Sequence, residues 1–210
     1  MKKNLFFMTL LTIPFFMLAQ TNKLIKSFNI NAGKTMTTLL YKDASGNSNS
    51  KINYQSGNAY GVSLDLFGGK SNVIRAELLY HQAGAKTTFG SIPINWKLQY
   101  LGINCGYLFK LIDKNVYSFR PGILIGMDYL IKGEQTIGLD RYDMAKNSAL
   151  KTMDANTGFI LNNRFKMTET MQVFLDYRFN IGLNQIEKSD KGEKTRNMGH
   201  QILAGISINF

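Results

Sequence analysis

Val173-Phe174-Leu175-Asp176-Tyr177-Arg178-Phe179-Asn180-Ile181-Gly182-Leu183 alternates without a break. Val173, Leu175, Tyr177, Phe179, Ile181 and Leu183 fall on one side, and all are apolar or aromatic. Phe174, Asp176, Arg178, Asn180 and Gly182 fall on the other, and most are polar or small. Successive side chains of a β-strand point to opposite faces, so this stretch reads as a strand between an apolar medium and a polar one. A soluble sandwich would bury the apolar face against a second sheet. A membrane barrel turns that face to lipid and lines its bore with the polar one.

The C-terminal stretch repeats the pattern: Ile202, Ala204, Ile206, Ile208 and Phe210 alternate with Gln201, Leu203, Gly205, Ser207 and Asn209. Similar alternation runs through Tyr60 to Leu66, Ile74 to His81, Leu101 to Phe109 and Ile123 to Tyr129, with weaker forms at Phe28 to Leu40 and Thr157 to Arg164. Together these make about eight strands, the smallest common size for a transmembrane barrel. No long stretch repeats at the helical period.

Connection lengths sharpen the choice. Links near Gly68-Gly69-Lys70, Leu111 to Lys114 and Lys166 to Thr170 are short; those at Lys42 to Gly57, Ala83 to Ile92, Lys132 to Lys151 and Glu187 to Arg196 are long. Such sorting matches short periplasmic turns and long external loops. Tyrosine and phenylalanine toward the strand ends agree with aromatic girdles at the lipid–water boundary. The expected fold is all-β, an eight-stranded antiparallel up-and-down transmembrane β-barrel.

Residues 1–20 read differently. Lys2 and Lys3 precede an apolar run from Leu5 to Leu18, and small Ala19 follows. That order is the secretory signal-peptide pattern, with cleavage expected after Ala19 or Gln20 and a barrel domain over 21–210. No later stretch approaches the roughly 20 apolar residues of a membrane helix. The lone Cys105 excludes an internal disulfide. The net charge of +11 falls by two, to +9, once Lys2 and Lys3 leave. The lysines are scattered and form no stripe interleaved with aromatics, so no nucleic-acid partner is expected. Positive loops suit anionic head groups, which makes outer-membrane lipid and lipopolysaccharide the expected surroundings.

Several stretches resemble the PorT-like outer-membrane β-barrel family. They are Leu18-Ala19-Gln20, Ser91-Ile92-Pro93, Tyr100-Leu101-Gly102-Ile103-Asn104-Cys105-Gly106-Tyr107, Arg120-Pro121-Gly122-Ile123 and the closing Gly199 to Phe210 strand. The resemblance implies a barrel in the bacterial outer membrane. It carries no catalytic or binding residue across, and some relatives take part in secretion.

Candidate chemistry is sparse. His81 shares an inward row with Arg75 and Glu77, so a lipid-modifying or proteolytic enzyme using His81 is the alternative to a non-enzymatic anchor. No nucleophile motif such as GxSxG accompanies it, and His200 is expected at the external rim. The two histidines and Cys105 lack metal-ligand spacing. Asp140, Asp143 and Asp154, expected on or beside one long loop, lack the pattern of a calcium loop. No catalytic residue, metal site or cofactor is therefore assigned. Asp65, Arg75, Glu77, Arg120, Asp128, Arg164, Asp176 and Arg178 are all expected to face inward, four of each sign. In a bore just wide enough for side chains they should pair into a plug and leave no pore. The Lys132 to Lys151 loop, with Tyr142 and Met144, is the expected contact surface for another envelope or secretion protein.

Overall fold

A computed structural model describes residues 24–48, 51–68, 71–146, 150–188 and 193–210; the expected signal segment, 1–20, lies outside them. Eight long strands follow one another: β1 Ile25–Lys42, β2 Asn53–Gly68, β3 Asn72–Phe89, β4 Ile92–Phe109, β6 Tyr117–Ile137, β8 Met153–Lys166, β9 Met171–Gly182 and β10 Lys194–Asn209. Two short pieces, β5 Ile112–Asp113 and β7 Asp140–Asp143, pair with β6 alone. Every long strand pairs antiparallel with its neighbours in sequence, β4 meeting β6 and β6 meeting β8. β1 then pairs β10 from Ser27–Asn209 to Lys42–Lys194 without a register shift, which closes the barrel. At this seam a Cβ on Gly33 would lie 1.9 Å from the Ile202 carbonyl oxygen, so only glycine lets the strands meet there.

Closure gives each of the eight long strands a partner on both sides, as hydrocarbon requires. The outward faces fit that medium. Ile74 and Leu78 on β3, Leu101, Ile103 and Tyr107 on β4, and Ile123, Ile125 and Met127 on β6 are all exposed. So are Leu175 on β9 and Ile202, Ile206 and Ile208 on β10. Their neighbours in sequence turn inward: Asp65, Arg75, Glu77, Asp176 and Arg178 are each at most 4% exposed. Two aromatic girdles bound the belt. Toward the turn end Tyr107 meets Phe109 edge-on and Tyr117 packs on Phe165. Toward the other end Tyr60 stacks on Tyr80, and Phe159, Tyr177, Phe179 and His200 cluster.

Above the second girdle the strands continue, and several expected loops are strand instead. Ala83 to Ile92 forms the ends of β3 and β4, joined by Gly90-Ser91 with Gly90 at φ 60°. Lys132 to Lys151 begins as β6 and folds back as β7 through Gly138, also at φ 60°. β2 starts at Asn53 and β10 at Lys194, which shortens the other two loops. In this upper part the phase of the pattern inverts. Outward residues become polar: Ser56, Gln82, Lys86, Lys97, Gln99 and Arg196. Inward residues become apolar: Leu39, Ala83, Ala85, Leu98, Tyr100, Leu130, Leu150 and Ile186 form one buried cluster, with Ile52, Trp96 and Met144 packed against it. Water outside favours burying apolar side chains, whereas lipid outside favours burying polar ones.

Candidate functional site

The bore holds three tiers, and the lowest is ionic. Asp65 Oδ1 accepts from Arg75 Nε at 2.8 Å, and Asp65 Oδ2 accepts from Arg164 Nη2 at 2.6 Å. Arg75 Nη1 donates to Asp176 Oδ2 at 3.1 Å. Arg178 grips Glu77 with two parallel bonds, 2.6 and 2.8 Å, and also donates to Asp176 at 2.8 Å. Asn29 and Asn31 on β1, Asn104 on β4, Asn162 on β8 and Ser207 on β10 complete the shells. With Arg120 Nη1 on β6 lying 3.8 Å from Asp65 Oδ2, every long strand contributes to this network. Arg75 and Arg164 also lie over the Phe174 ring, at 5.8 and 5.3 Å. Burying such charges is tolerable only because they are paired and hydrogen-bonded to this extent. Small apolar clusters (Val73, Leu108, Leu124 and Ile160; Ala59, Leu79 and Leu203) fill the gaps.

The eight expected inward charges are all buried, but they do not form one balanced set. Asp128 stands apart in a second tier. Its Oδ2 lies 3.2 Å from His81 Nε2 and accepts from Asn156 Nδ2 at 2.9 Å. His81 stacks on Tyr100 with ring centroids 5.4 Å apart. Asp154 is here as well: it lies on β8, is 2% exposed, and accepts from Asn197 Nδ2 at 2.8 Å. It is the one of the three loop-associated aspartates that stands beside the long loop, because β8 begins at Met153. Asp140 and Asp143 do lie outside the bore, in the β6–β7 hairpin.

His81 is the one sequence candidate that the fold furnishes with a partner carboxylate. Among the described residues no hydroxyl or thiol hydrogen-bonds its ring, and its Nδ1 has no partner. The third tier, the Leu98–Leu130–Leu150–Ile186 cap, lies toward the external end. His200 is not at the rim but on the outward face of β10, with Nδ1 2.8 Å from Tyr177 Oη in the girdle. Cys105 is exposed on the lipid side. Among the described residues no group of three His, Cys, Asp or Glu is arranged to hold a metal.

At the external tip the Lys132 to Lys151 segment with Tyr142 was anticipated, but its meeting with the β3–β4 hairpin was not. The β3–β4 and β6–β7 hairpins adjoin there, with Gly138 N–H donating to the Pro93 carbonyl at 2.9 Å. Phe89 is 78% exposed and Leu139 fully so, with Ile92 and Tyr142 about half exposed. An isolated Phe89 or Leu139 looks unremarkable in sequence; only the meeting of two hairpins groups them.

No family model matches the chain, and no curated protein matches it. Solved structures do. Neisserial surface protein A is 10% identical, the match covering 87% of this chain and 97% of that one with a TM-score of 0.51. Ail, the attachment invasion locus protein of Yersinia pestis, is 10% identical over 87% of this chain and 98% of its own, TM-score 0.42. The outer membrane protease OmpT from Escherichia coli is 10% identical over 89% and 97%, TM-score 0.45. At such identities the likeness is one of fold. Joined to the lipid-facing belt and the charged bore, the fold shared with Neisserial surface protein A makes this chain a β-barrel of the bacterial outer membrane.

Proposed function

We propose that the chain is a non-enzymatic, non-conducting anchor that holds a protein-docking tip above the outer membrane. The observation that carries this reading is the exposed apolar tip of Phe89, Ile92, Leu139 and Tyr142 on two hairpins braced by the upper barrel. Neither lipid nor a loop of the described residues covers Phe89 or Leu139, and apolar groups clustered in water mark contact surfaces. The partner is another envelope protein, as the PorT-like resemblance also suggests, with secretion among the roles such an assembly serves. The sequence-based contact surface, Lys132 to Lys151, is thereby narrowed to its hairpin end and joined to β3–β4. Exposed Lys34, Lys86, Lys97, Lys132, Lys194 and Arg196 around the outer wall suit lipid and lipopolysaccharide phosphates.

Replacing both Phe89 and Leu139 by Ser tests the docking. The barrel should fold as before, and crosslinking in intact cells should lose a defined envelope protein. Recovery of the same crosslinked partner in undiminished yield would refute the docking surface. Purified barrel should also give no steady conductance in planar bilayers, because the ionic tier and the apolar cap both obstruct the bore. An enzyme using His81 is the competing reading. It is disfavoured by a buried imidazole without a nucleophile, and His81→Ala should leave lipid composition and peptide cleavage unchanged.

A further inference from the structure

The lipid-facing wall is not evenly filled. An apolar groove of about 1130 Å³ lies over the seam where β1 meets β10. Its floor is low because Ala32 and Ala204, the smallest outward side chains of their strands, pair with each other across the seam. Val173 and Leu175 on β9 wall one side, and the stacked Tyr60 and Tyr80 wall the other. Phe28 and Ile208, also partners across the seam, bound it toward the turn end.

The opposite end of the groove is cationic. Lys34 is the next outward residue above Ala32 on β1 and is exposed, with its Nζ donating to Asn58 Oδ1 at 2.6 Å. Its partner across the seam is Ile202, which also pairs with Tyr177 of the aromatic girdle. The ammonium therefore stands at head-group depth. Lys132 has Glu134 at 2.9 Å, but among the described residues no carboxylate is within salt-bridge distance of Lys34. The only acidic residues of β1, β2, β9 and β10 are Asp65 and Asp176, and both are buried in the bore. This sector of the outer wall thus carries positive charge and none of the opposite sign.

The length of the groove fits one leaflet. From Lys34 to Phe28 is six residue steps, about 20 Å along the strand at roughly 3.3 Å each. A strand tilted by ~40° descends about 15 Å over that distance, half of the ~30 Å hydrocarbon core.

We propose that the groove is a binding site for one phosphorylated, acylated glycolipid of the outer leaflet. A phosphate sits against Lys34 and Asn58, and an acyl chain lies over Ala32 and Ala204. A free anion would leave the apolar groove unused, and a neutral lipid would leave Lys34 unpaired. A second copy of this chain on the same wall would bring like charges together, with no acid to separate them. One saturable place on the seam goes beyond the general attraction of the outer-wall lysines to phosphate, and it does not depend on the docking tip.

The test titrates the full barrel, refolded in detergent, with diphosphorylated lipid A and counts the bound molecules by native mass spectrometry. The expected result is one lipid A per barrel at saturation. Lys34→Gln, and separately Ala204→Phe, which fills the floor, should each weaken binding at least tenfold, as should removal of the phosphates from the lipid. Two variants are used so that one folded form suffices. Ile125→Phe, on β6 outside the groove, should bind as the parent does, and so should the barrel with both Phe89→Ser and Leu139→Ser. Adducts that accumulate without saturation, or equal binding by the parent and a folded Lys34→Gln barrel, would overturn the proposal. So would a lipid-free dimer of barrels, which would make a second copy the occupant.

Discussion

On β4, Leu101 and Ile103 face outward while Asn104 faces the bore; four residues nearer the external end, Lys97 and Gln99 face outward while Leu98 is buried. One strand thus runs through two opposite patterns. In the lower barrel the surroundings are hydrocarbon, so polar groups must be satisfied inside and apolar ones are tolerated outside. In the upper barrel the surroundings are water, and the ordinary preference of a soluble protein returns. The lower half is held by pairing and hydrogen bonds, the upper half by apolar packing. Damage to each half should therefore follow different rules.

The largest effect is expected from the hub of the ionic tier. Asp65→Asn removes the carboxylate that faces Arg75, Arg164 and Arg120 and leaves buried positive charge without its counterpart. Losing one partner of such a pair costs about 3–5 kcal/mol. Urea unfolding in detergent, followed by the loss of the compact band on unheated gels, should show a drop of that order. A drop below about 1 kcal/mol would mean the network is not what holds the lower half. A substitution in the cap, such as Leu98→Ala, should also destabilise, through a cavity. Its effect should be confined to hydrogen exchange in the upper strands.

The next effect separates the two outer surfaces. Ile103 lies between Leu78 and Met127 in the middle of the belt and is 69% exposed. Ile103→Arg should cost about 2–4 kcal/mol, the penalty for a cation near the bilayer midplane. Gln99→Arg, on the same strand beside Gln82 and Lys132, should cost at most about 1 kcal/mol, as near an interface. Equal costs measured by unfolding in lipid vesicles would place the membrane boundary elsewhere.

Where one solvent governs, the sequence was legible. Val173 to Leu183, Ile74 to His81 and the C-terminal strand face as their alternation demands, and all eight inward charges are buried. What went unread was the change of phase. Ala83 to Ile92 looked like a loop because its apolar Ala83 and Ala85 stand where polar bore residues were expected, opposite Gln82 and Lys86. The marks of inversion are adjacent apolar pairs that a single period cannot accommodate: Leu39-Leu40, Tyr100-Leu101 and Tyr129-Leu130. In each pair one member enters the cap and the other faces out. The second tier of the bore was illegible for another reason. His81, Asp128 and Asp154 are ordinary inward polar residues on β3, β6 and β8, and only the closed barrel brings them to one tier.

The smallest effect concerns the upper hairpin, where water screens every charge. The exposed Asp143 carboxylate accepts from the backbone N–H groups of Lys146 and Ala145, at 3.0 and 3.1 Å. The Lys146 N–H, first, and that of Ala145 hold its carboxyl below the ordinary value of 3.8. A depressed carboxylate favours the folded turn at any pH above its ordinary value. That contribution disappears as the pH falls through the lower, folded value. Acidification should therefore loosen the turn after β7 while the bore network stays intact. Hydrogen exchange corrected for its intrinsic pH dependence should show Lys146 losing protection in acid before the strand amides of β3 and β9 do. Asp143→Asn should abolish that acid-dependent step, since an amide cannot titrate. If Lys146 and the β9 amides lost protection together, the hairpin would belong to the same cooperative unit as the membrane half, and the contrast between the two halves would be one of composition alone.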